Sequence, residues 1–305
     1  MKVKDIAVII VHFKNVKDTL ETLDSLYKAT LPKGVKMTPY VVNNDQSEEI
    51  KKEIPKQFPK AIHVFSSTNL GFSGGNNLGL GEALKGKHDT FVLLNNDVFV
   101  KKDFIEKIIS SPITDPKVGI VGGLIYFAPG FEFQDKYTKK QKGKVIWYAG
   151  GKIDWSNVYA SHIGVDKVDT GSYKKAVPTD FVTGCLLITR RDILDELGLL
   201  DNKYCLYLED ADFNIRVQQA GYQTIFDPNI KIWHKVAQSS GIGSPLNDYF
   251  ITRNRLLFGF KYTPFRTKFA LTREALKKLF IGTRAQRIAI KDFFTANLGK
   301  GSWLK

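Results

Sequence analysis

Residues 6–11, IAVIIV, form an uninterrupted apolar run near the start of the chain. Such a run is typical of a parallel strand that is buried on both faces of its sheet. Leu20, Leu23 and Leu26 follow at helical spacing, which predicts a helix from Asn15 to Tyr27. The chain therefore opens with one strand and one helix of an α/β sheet.

The same alternation continues to residue 100. Strands are predicted in MTPYVVNND, AIHVFSS and TFVLLNNDVFV, and TNLGFSGGNN predicts a Gly-rich turn before a helix in LGLGEALKG. Residues 124–178 lack a helical period and predict short strands and loops along one edge of the sheet. DFVTGCLLITR and QTIFDPNIKIWH predict two more strands. The fold class is therefore α/β, Rossmann-like, with a mostly parallel sheet flanked by helices.

The positive charge of the chain lies mostly in its tail. The 305 residues carry a net charge of +14, and from Thr252 to Lys305 thirteen Lys and Arg stand against two acids, a net +11. Apolar residues between these cations predict two or three amphipathic helices: Leu256, Leu257, Phe260, Phe265, Phe269, Leu276, Leu279, Phe280, Phe293 and Phe294. Such helices could meet anionic lipid headgroups or pack as a lid on the core, and both readings stay open here.

The composition and the motifs also argue against several classes of protein, namely disulfide-bonded, secreted, membrane-spanning and nucleic-acid-binding proteins. Cys185 and Cys205 lie in apolar runs without metal-type spacing, which indicates reduced core residues of a cytosolic protein. The first apolar run predicts a strand rather than a signal peptide, and no stretch approaches the roughly 18–20 apolar residues of a spanning helix. No zinc, RRM or helix-turn-helix pattern supports a nucleic-acid partner.

Polar residues follow four of the predicted strands or precede the next helix. They are Asn43-Asn44-Asp45, Asn69 to Asn77, Asn95 to Asp97, and His234. Asn, Asp and Gly are ordinary turn formers, but ligands of open parallel sheets bind at the carboxyl ends of the strands. We therefore predict that the four groups line one pocket, in which GFSGG could contact phosphate through backbone N–H groups.

Two acidic positions could carry chemistry there. Asp97, with His234, could hold a divalent ion that bridges two phosphates, and the imidazole favours Mn²⁺ over Mg²⁺. Glu209-Asp210-Ala211-Asp212 opens a predicted helix, where Asp210 suits an N-cap and Asp212 could pair with Arg216. Glu209 or Asp210 could instead be a general base, and spacing alone does not choose.

In this order, the segments resemble the inverting glycosyltransferase family 2 with the GT-A fold, in its branch of bacterial rhamnosyltransferases and galactofuranosyltransferases. The matching stretches are IAVIIVHFKNVKDTLETLDSL, YVVNNDQS, NLGFSGGNNLGL, FVLLNNDV, DFVTGCLLITRRDILDELGLLD, LYLEDADFNIRVQQAGY and IWHKVAQSSG. The resemblance covers nearly the whole chain. It implies a nucleotide-sugar-binding and catalytic GT-A domain over residues 1–247 and a basic amphipathic helical extension over 248–305.

The resemblance also implies roles for individual residues. Asp97 matches the last position of a D-x-D motif that holds metal and diphosphate, and the motif here reads Asn95-Asn96-Asp97. His234 matches the histidine that completes metal coordination, and Asp210, beside Glu209, matches the catalytic base. The other matches are Val11, Phe13 and Asn43 at the nucleotide base, with Asp45 as the acid that could replace the usual Asp at 43, Asn69 and Gly71 at the ribose, and Thr183 and Gly184 at the donor sugar and acceptor.

The activity so implied is metal-dependent, inverting transfer of a sugar from a UDP- or dTDP-sugar to a hydroxyl of a bacterial cell-surface glycan or lipid-linked acceptor. The implied cofactor is Mn²⁺ or Mg²⁺. The implied location is cytoplasmic, peripheral on an anionic membrane surface at the inner face of the bacterial plasma membrane. From the residues alone, two other classes remain: a non-catalytic polyanion or nucleic-acid binder, and another nucleotide-using enzyme on a Rossmann-like sheet.

Overall fold

The computed structural model describes residues 2–236 and 243–304 of the chain. Its strands are β1 Asp5–His12, β2 Lys36–Asn43, β3 Ile62–Phe65, β4 Thr90–Asn95, β5 Val98–Val100, β6 Val118–Phe127, β7 Ile146–Tyr148, β8 Gly151–Asp154, β9 Tyr159–His162, β10 Val177–Pro178, β11 Leu186–Arg190 and β12 Gln223–His234. Its α-helices are α1 Val16–Tyr27, α2 Glu48–Gln57, α3 Gly71–Leu84, α4 Phe104–Ile109, α5 Arg191–Leu197, α6 Glu209–Gln219, α7 Pro245–Tyr262, α8 Phe265–Ile281 and α9 Arg284–Phe294.

A ten-stranded sheet forms the centre of the molecule. Its strand order is β10-β12-β6-β11-β4-β1-β2-β3, with β5 paired to β12 and β7 paired to β6. The pairs β1–β2, β1–β4, β2–β3 and β6–β12 are parallel, whereas β11 runs antiparallel to both of its neighbours. The predicted α/β fold with a mostly parallel sheet flanked by helices is therefore confirmed.

Strand β1 shows why the opening apolar run is continuous. Ile6, Val8 and Ile10 pack into one hydrophobic core, and Ala7 and Ile9 pack into the second core on the opposite face. Successive side chains of a strand point to opposite faces, so a strand covered on both sides needs apolar residues at every position. Helices therefore cover both faces of the sheet at β1.

The Gly-rich stretch was predicted as a turn, and this was wrong. Helix α3 already begins at Gly71, so GFSGGNN forms its first two turns. The helix lies so close to β1 that a Cβ at Gly79 would stand 2.5 Å from the Ile9 side chain, and one at Gly75 would stand 2.8 Å from Val11. The glycines are there because of this close packing, which the sequence pattern alone does not reveal.

The strand predicted in DFVTGCLLITR is shorter than expected. Only Leu186–Arg190 pairs in the sheet, as β11. Before it, the backbone N–H of Val182 donates to Asn214 Oδ1 at 3.0 Å, and Asn214 Nδ2 donates to the carbonyl of Val182 at 2.9 Å. A side chain of α6 thus replaces a neighbouring strand as the partner of this segment, and Cys185, as predicted, is a buried free thiol like Cys205.

The tail folds into three helices, as predicted. Leu256 is buried and Leu257, Phe260, Leu279 and Phe293 pack against the core, whereas Phe265, Phe269, Leu276, Phe280 and Phe294 are exposed. Helix α7 starts at Pro245, just before the boundary drawn between residues 247 and 248, which stays a prediction. Within residues 2–236 and 243–304, no helix is long and apolar enough to span a membrane.

Candidate functional site

One cavity of about 780 Å³ opens at the carboxyl ends of β1 and β4, beside the end of β12. Twelve of the predicted site residues line it: Val11, Phe13, Asn69, Gly71, Asn95, Asn96, Asp97, Thr183, Gly184, Glu209, Asp210 and His234. Polar groups that are far apart in sequence therefore meet at one edge of the sheet. Asn43 and Asp45, the other two, do not line this cavity.

Asp97 and His234 form a buried pair at one end of the cavity. Strand β12 pairs with β5 so that His234 lies opposite Val98, which brings the two side chains together. His234 Nε2 lies 3.0 Å from Asp97 Oδ1, and the backbone N–H of Lys235 donates to the Asp97 carbonyl at 2.9 Å. Burial lowers the pKa of His234, but the attraction of Asp97, together with the Cys185 sulfur, raises it well above its usual value.

Cys185 also lines the cavity. Burial raises its pKa, and the charges of His234, Asp97 and Asp210 all act on it. The Asp97–His234 pair, Cys185 and Asp210 therefore line one cavity.

The Asp97–His234 pair fits a divalent ion. Octahedral Mg²⁺ holds its ligands at about 2.0–2.1 Å, which sets neighbouring ligand atoms about 3 Å apart. Nε2 and Oδ1 show that spacing, at 3.0 Å. The described part of the chain has no group of three or more His, Cys, Asp or Glu arranged to hold a metal, so further ligands would have to come from a bound diphosphate and water.

Asp210 projects into the cavity from the first turn of α6. Its Oδ2 accepts the backbone N–H of Gly184 at 2.9 Å, and its Oδ1 accepts the N–H of Ala211 at 2.7 Å. Burial raises its pKa despite these two hydrogen bonds. The N-cap role considered for Asp210 was wrong, because Leu208 occupies that position and no side chain caps the helix.

Glu209 differs from its neighbour. It is buried, and its Oε2 has no hydrogen-bond partner within residues 2–236 and 243–304. Burial and the negative charge of Asp210 raise its pKa well above the usual value. These surroundings therefore favour the neutral form of Glu209. The Asp212–Arg216 pair predicted on the same helix is confirmed, at 3.0 Å.

The segment predicted to contact the nucleotide base is organised differently from expectation. The Asn43 side chain accepts the N–H of Ser47 at 2.9 Å and donates to the Ser47 carbonyl at 2.8 Å, so it closes a turn. Its neighbour Asn44 lines the cavity, accepts the N–H of Leu70 at 2.9 Å and donates to the Gly71 carbonyl at 3.1 Å. Asn44 was not singled out from the sequence, where its neighbours Asn43 and Asp45 were matched to the nucleotide base instead.

Asp45 stays close to the cavity without lining it. Its carboxylate accepts the backbone N–H of Lys14 and lies 3.5 Å from His12 Nε2. Burial lowers the pKa of His12, although Asp45 opposes this. Lys14 has a left-handed backbone, φ 69°, and lines the cavity next to Phe13. Asp45 therefore holds the loop that carries both residues.

Sequence reasoning missed most of the outer wall of the cavity. Trp147, His162 and Phe181 form part of it, and the Trp147 ring meets the His234 ring edge-on at 4.6 Å. Only the expectation of short strands at one edge in residues 124–178 pointed to this region. The C-terminal part contributes Leu246, Asn247, Ile251 and Leu304, for which the sequence offered no signal.

Comparison with known proteins adds a family match. The model of the family described as glycosyltransferase like family 2 matches residues 4–259. N-acetylglucosaminyl-diphospho-decaprenol L-rhamnosyltransferase of Mycobacterium tuberculosis is 31% identical over 64 residues, 21% of this chain and 21% of that protein. Galactofuranosyltransferase GlfT2 of M. tuberculosis is 24% identical over 232 residues, 71% of this chain and 35% of the relative. These matches therefore span only about a fifth and a third of the two relatives.

Two solved structures share the fold. GalNAc-T7, crystallised with UDP, GalNAc and Mn²⁺, superposes with a TM-score of 0.59 at 16% identity over 82% of this chain and 48% of that one. Mannosyltransferase PcManGT from Pyrobaculum calidifontis, in complex with GDP-Man and Mn²⁺, superposes with a TM-score of 0.55 at 15% identity over 97% and 76%. At such identities the likeness establishes the fold alone.

Proposed function

The chain belongs to the glycosyltransferase-like family 2, and on that premise we propose that it transfers a sugar from a nucleoside-diphosphate sugar to a hydroxyl group, with inversion at the anomeric carbon. The single observation that carries the proposal is that Asp97, His234 and Asp210 line one cavity. Family membership argues against the two rival classes, a polyanion binder and an unrelated nucleotide-using enzyme.

The Asp97 and His234 end of the cavity suits the diphosphate. These two side chains would hold Mn²⁺ or Mg²⁺, which supplies a positive charge for the leaving diphosphate. Negative charge grows on the diphosphate as the anomeric C–O bond breaks, and a buried site makes its stabilisation stronger than in water. Asn95 supports the pair from β4, with its side-chain amide 3.4 Å from His234 Nε2.

Asp210 suits the role of general base. A hydroxyl is a weak nucleophile until its proton is removed, and a base works best when its pKa lies near the working pH. Burial raises the pKa of Asp210 in that direction, while the two backbone hydrogen bonds keep the carboxylate oriented. As Asp210 takes the proton, the acceptor oxygen bonds to the anomeric carbon from the face opposite the leaving diphosphate, which gives inversion.

The nucleoside would lie over the carboxyl end of β1 and the amino end of α3. Val11 and Phe13 from the end of β1, and Asn69 and Gly71 from the start of α3, line this part of the cavity. Asn44 holds the α3 side in place through Leu70 and Gly71. We propose UDP or dTDP as the nucleotide. Of the fold neighbours, GalNAc-T7 was crystallised with UDP and PcManGT with GDP-Man, so GDP-linked sugars belong in the test.

The acceptor would enter past the outer wall, beside Thr183 and Gly184. Trp147 and Phe181 offer flat apolar surface there, and Leu246, Ile251 and Leu304 add aliphatic surface from the C-terminal part. The aromatic rings of Trp147 and Phe181 suit contact with the apolar faces of sugar rings. The aliphatic side chains suit contact with a lipid chain. We propose a bacterial glycan, in soluble or lipid-linked form, as acceptor.

Helix α8 is the proposed contact with an anionic membrane. Phe265, Phe269, Leu276 and Phe280 lie on one exposed face at spacings of four and seven residues, and Phe265 and Phe280 are 80% and 83% exposed. Leu271 and Ala275 on the other face are buried. The helix carries five Lys and Arg against one Glu, a net +4, which complements anionic headgroups.

A donor panel tests the proposed activity. Purified protein is incubated with Mn²⁺ and UDP-, dTDP- or GDP-linked sugars, and release of the nucleoside diphosphate is followed, with NAD and single-stranded DNA as binding controls in a thermal-shift assay. The proposal expects a diphosphate to stabilise the protein in a Mn²⁺-dependent way and at least one donor to be turned over. Stabilisation by NAD or DNA alone would contradict it.

A further inference from the structure

The turn that precedes α6 has an unusual backbone. Cys205, Tyr207 and Leu208 all have left-handed conformations, with φ of 63°, 70° and 69°, and none of them is glycine. This region is unfavourable for residues with a Cβ atom, which crowds the neighbouring carbonyl oxygen. Such conformations persist where the surroundings hold them, and they cluster at functional sites. This turn leads directly into Glu209 and Asp210.

Two side chains of α7 hold the turn from one side. Asn254 Nδ2 lies within hydrogen-bond distance of the carbonyls of Tyr204, Leu206 and Tyr207, at 2.8, 2.7 and 2.9 Å. Arg253 Nη2 donates to the carbonyls of Lys203 and Tyr204 at 3.1 and 2.9 Å, and Arg253 Nε donates to Asn254 Oδ1 at 3.0 Å. Both side chains are completely buried.

Helix α3 holds the turn from the other side. The remaining carbonyl, that of Cys205, accepts the backbone N–H groups of Phe72 and Ser73 at 2.7 and 3.1 Å. Gly71 comes so close that a Cβ there would stand 2.3 Å from Cys205 Sγ. Each carbonyl from Lys203 to Tyr207 is thus bound by α7 or α3. The turn therefore joins the α3 wall and the α6 wall of the cavity.

The end of the chain secures the α7 side chains in turn. Arg253 Nη1 donates to the Gly299 carbonyl at 2.6 Å, and Tyr249, one helical turn earlier, donates to Asp292 of α9. Asp292 also accepts the backbone N–H of Ser302 at 2.7 Å. Helices α7 and α9 and residues 299–302 therefore form one hydrogen-bonded unit with the turn.

We propose that Asn254 and Arg253 are positioning residues, which hold the 203–208 turn so that Asp210 and the start of α3 face each other across the cavity. Neither side chain lines the cavity, so they act through the backbone of the turn. The catalytic part of this inference rests on the proposed function, whereas the structural part does not. Under this proposal the basic carboxyl-terminal extension helps to position the catalytic site, in addition to the membrane contact proposed for α8.

Arg255 provides a matched control on the same helix. Its guanidinium donates to the carbonyl of Asn157 at 2.9 and 2.8 Å and to Glu274 at 2.8 Å, away from the turn. Arg255→Ala therefore removes a comparable set of hydrogen bonds without touching residues 203–208. Asn254→Ala is the test variant, and Asn254→Ser is a milder second variant whose hydroxyl can still donate to one carbonyl.

Hydrogen–deuterium exchange of the full-length proteins tests the structural part without any donor. In Asn254→Ala we expect exchange to rise about tenfold in peptides covering 203–213 and 70–76, with β1 and β4 unchanged, and Asn254→Ser to lie between. Arg255→Ala should leave both peptides at the wild-type rate. Unchanged exchange at 203–213 and 70–76, or an equal rise throughout the sheet, overturns the positioning role whatever the protein's activity.

Kinetics with a donor found in the panel test the catalytic part. A displaced Asp210 should lower kcat for transfer at least tenfold in Asn254→Ala while the KM for the donor changes less than threefold, and Arg255→Ala should match wild type. Loss of kcat in Arg255→Ala to the same extent would reduce the effect to general stability and overturn the proposal. If wild type turned over no donor at all, the proposed function alone would fail, because the exchange result stands without it.

Discussion

His234 Nε2, at the end of β12, and Asp97 Oδ1, just before the start of the paired strand β5, lie 3.0 Å apart, although 137 positions separate the two residues in the chain. Both side chains are almost completely shielded from water. A buried carboxylate and imidazole that meet in this way either share a proton or hold a cation between them. The nucleotide-sugar chemistry proposed here needs the cation.

Substitution of this pair should weaken metal-dependent nucleotide binding. We expect Asp97→Ala and His234→Ala each to lower the affinity for UDP or dTDP at least about tenfold in the presence of Mn²⁺, and to leave the weaker binding in EDTA unchanged. The reason is that each change removes one of the two proposed protein ligands of the metal. Isothermal titration calorimetry with nucleotide, with and without Mn²⁺, measures the difference.

A second imidazole–carboxylate pair supplies the control. His88 Nδ1 lies 2.6 Å from Asp5 Oδ1 at the start of β1, whereas the cavity opens at the carboxyl end of this strand. Asp5→Ala should therefore leave the Mn²⁺ dependence of nucleotide binding as in wild type. Equal loss in Asp5→Ala and Asp97→Ala would speak against a metal at position 97.

Replacement of the proposed base should separate catalysis from binding. Asp210→Asn keeps the size of the side chain but cannot take up the acceptor proton, so we expect kcat for transfer to fall about 10²- to 10⁴-fold. Nucleotide affinity should stay within about threefold of wild type, because the proposed role of Asp210 is toward the acceptor and not the nucleotide. Initial rates and calorimetry on the same preparation give both numbers.

Asp180→Asn serves as the reference variant. Asp180 is an exposed acid that accepts the backbone N–H of Ile153 at 2.8 Å, and it does not line the cavity. Its replacement should leave kcat near the wild-type value. Near-normal turnover by Asp210→Asn would remove Asp210 from the mechanism.

The sequence allowed the sheet and the inner half of the cavity to be predicted, because both depend on patterns among residues that are neighbours in the chain. A strand buried on both faces needs an apolar residue at each position, so the run IAVIIV predicts such a strand directly. Polar residues at strand ends come together because the carboxyl ends of parallel strands lie at the same side of the sheet. The outer half depends on contacts between distant segments. Leu304 at the end of the chain and Trp147 on a three-residue strand reach the cavity only through packing of α7 and β6, which no local pattern reports.

The dependence on contacts between distant segments also explains why the sequence did not predict that Asn44, and not Asn43, lines the cavity. The residue type at both positions suits a turn or a ligand contact equally well. Which of the two faces the cavity depends on the alternation of β2 and on α3, whose Leu70 and Gly71 engage Asn44. A one-residue change in direction reverses the face of a strand, so sequence alone could not separate the two amides.

The α8 face should bind anionic vesicles. Phe265→Ser with Phe280→Ser removes two exposed rings and keeps every positive charge, so we expect the affinity for phosphatidylglycerol-containing vesicles to fall about tenfold. Binding of the unchanged protein should weaken with added salt, since the lysines and arginines contribute through screened attraction. Co-sedimentation with vesicles of neutral phosphatidylcholine, with and without phosphatidylglycerol, measures both effects.

Phe65→Ser is the matched control for the membrane experiment. Phe65 is also more than half exposed, and Lys51 lies over its ring at 5.9 Å, but it belongs to the edge strand β3. Truncation near Phe250 would be a poor test, because it also removes Arg253 and Asn254. Vesicle binding that is unaffected by the double substitution, or lost equally in Phe65→Ser, would refute the α8 assignment.

Glu209 should behave oppositely to its neighbour Asp210, and pH makes the difference measurable. Burial and the charge of Asp210 raise the pKa of Glu209 well above its usual value of 4.5 in the folded protein. Above pH 4.5 the unfolded chain releases this proton while the folded protein retains it, so the free energy of unfolding of wild type falls as pH rises from about 4.5 toward the raised pKa. Glu209→Gln mimics the neutral carboxyl at every pH and has no such loss.

We therefore expect the melting temperature of Glu209→Gln, relative to wild type, to increase between pH 5 and pH 8, with kcat within about threefold of wild type. Thermal unfolding across this pH range gives the sign directly. A Glu209→Gln variant that lost activity like Asp210→Asn, or lost stability as pH rises, would mean that Glu209 is ionised in the folded protein and that the base has been assigned to the wrong carboxyl.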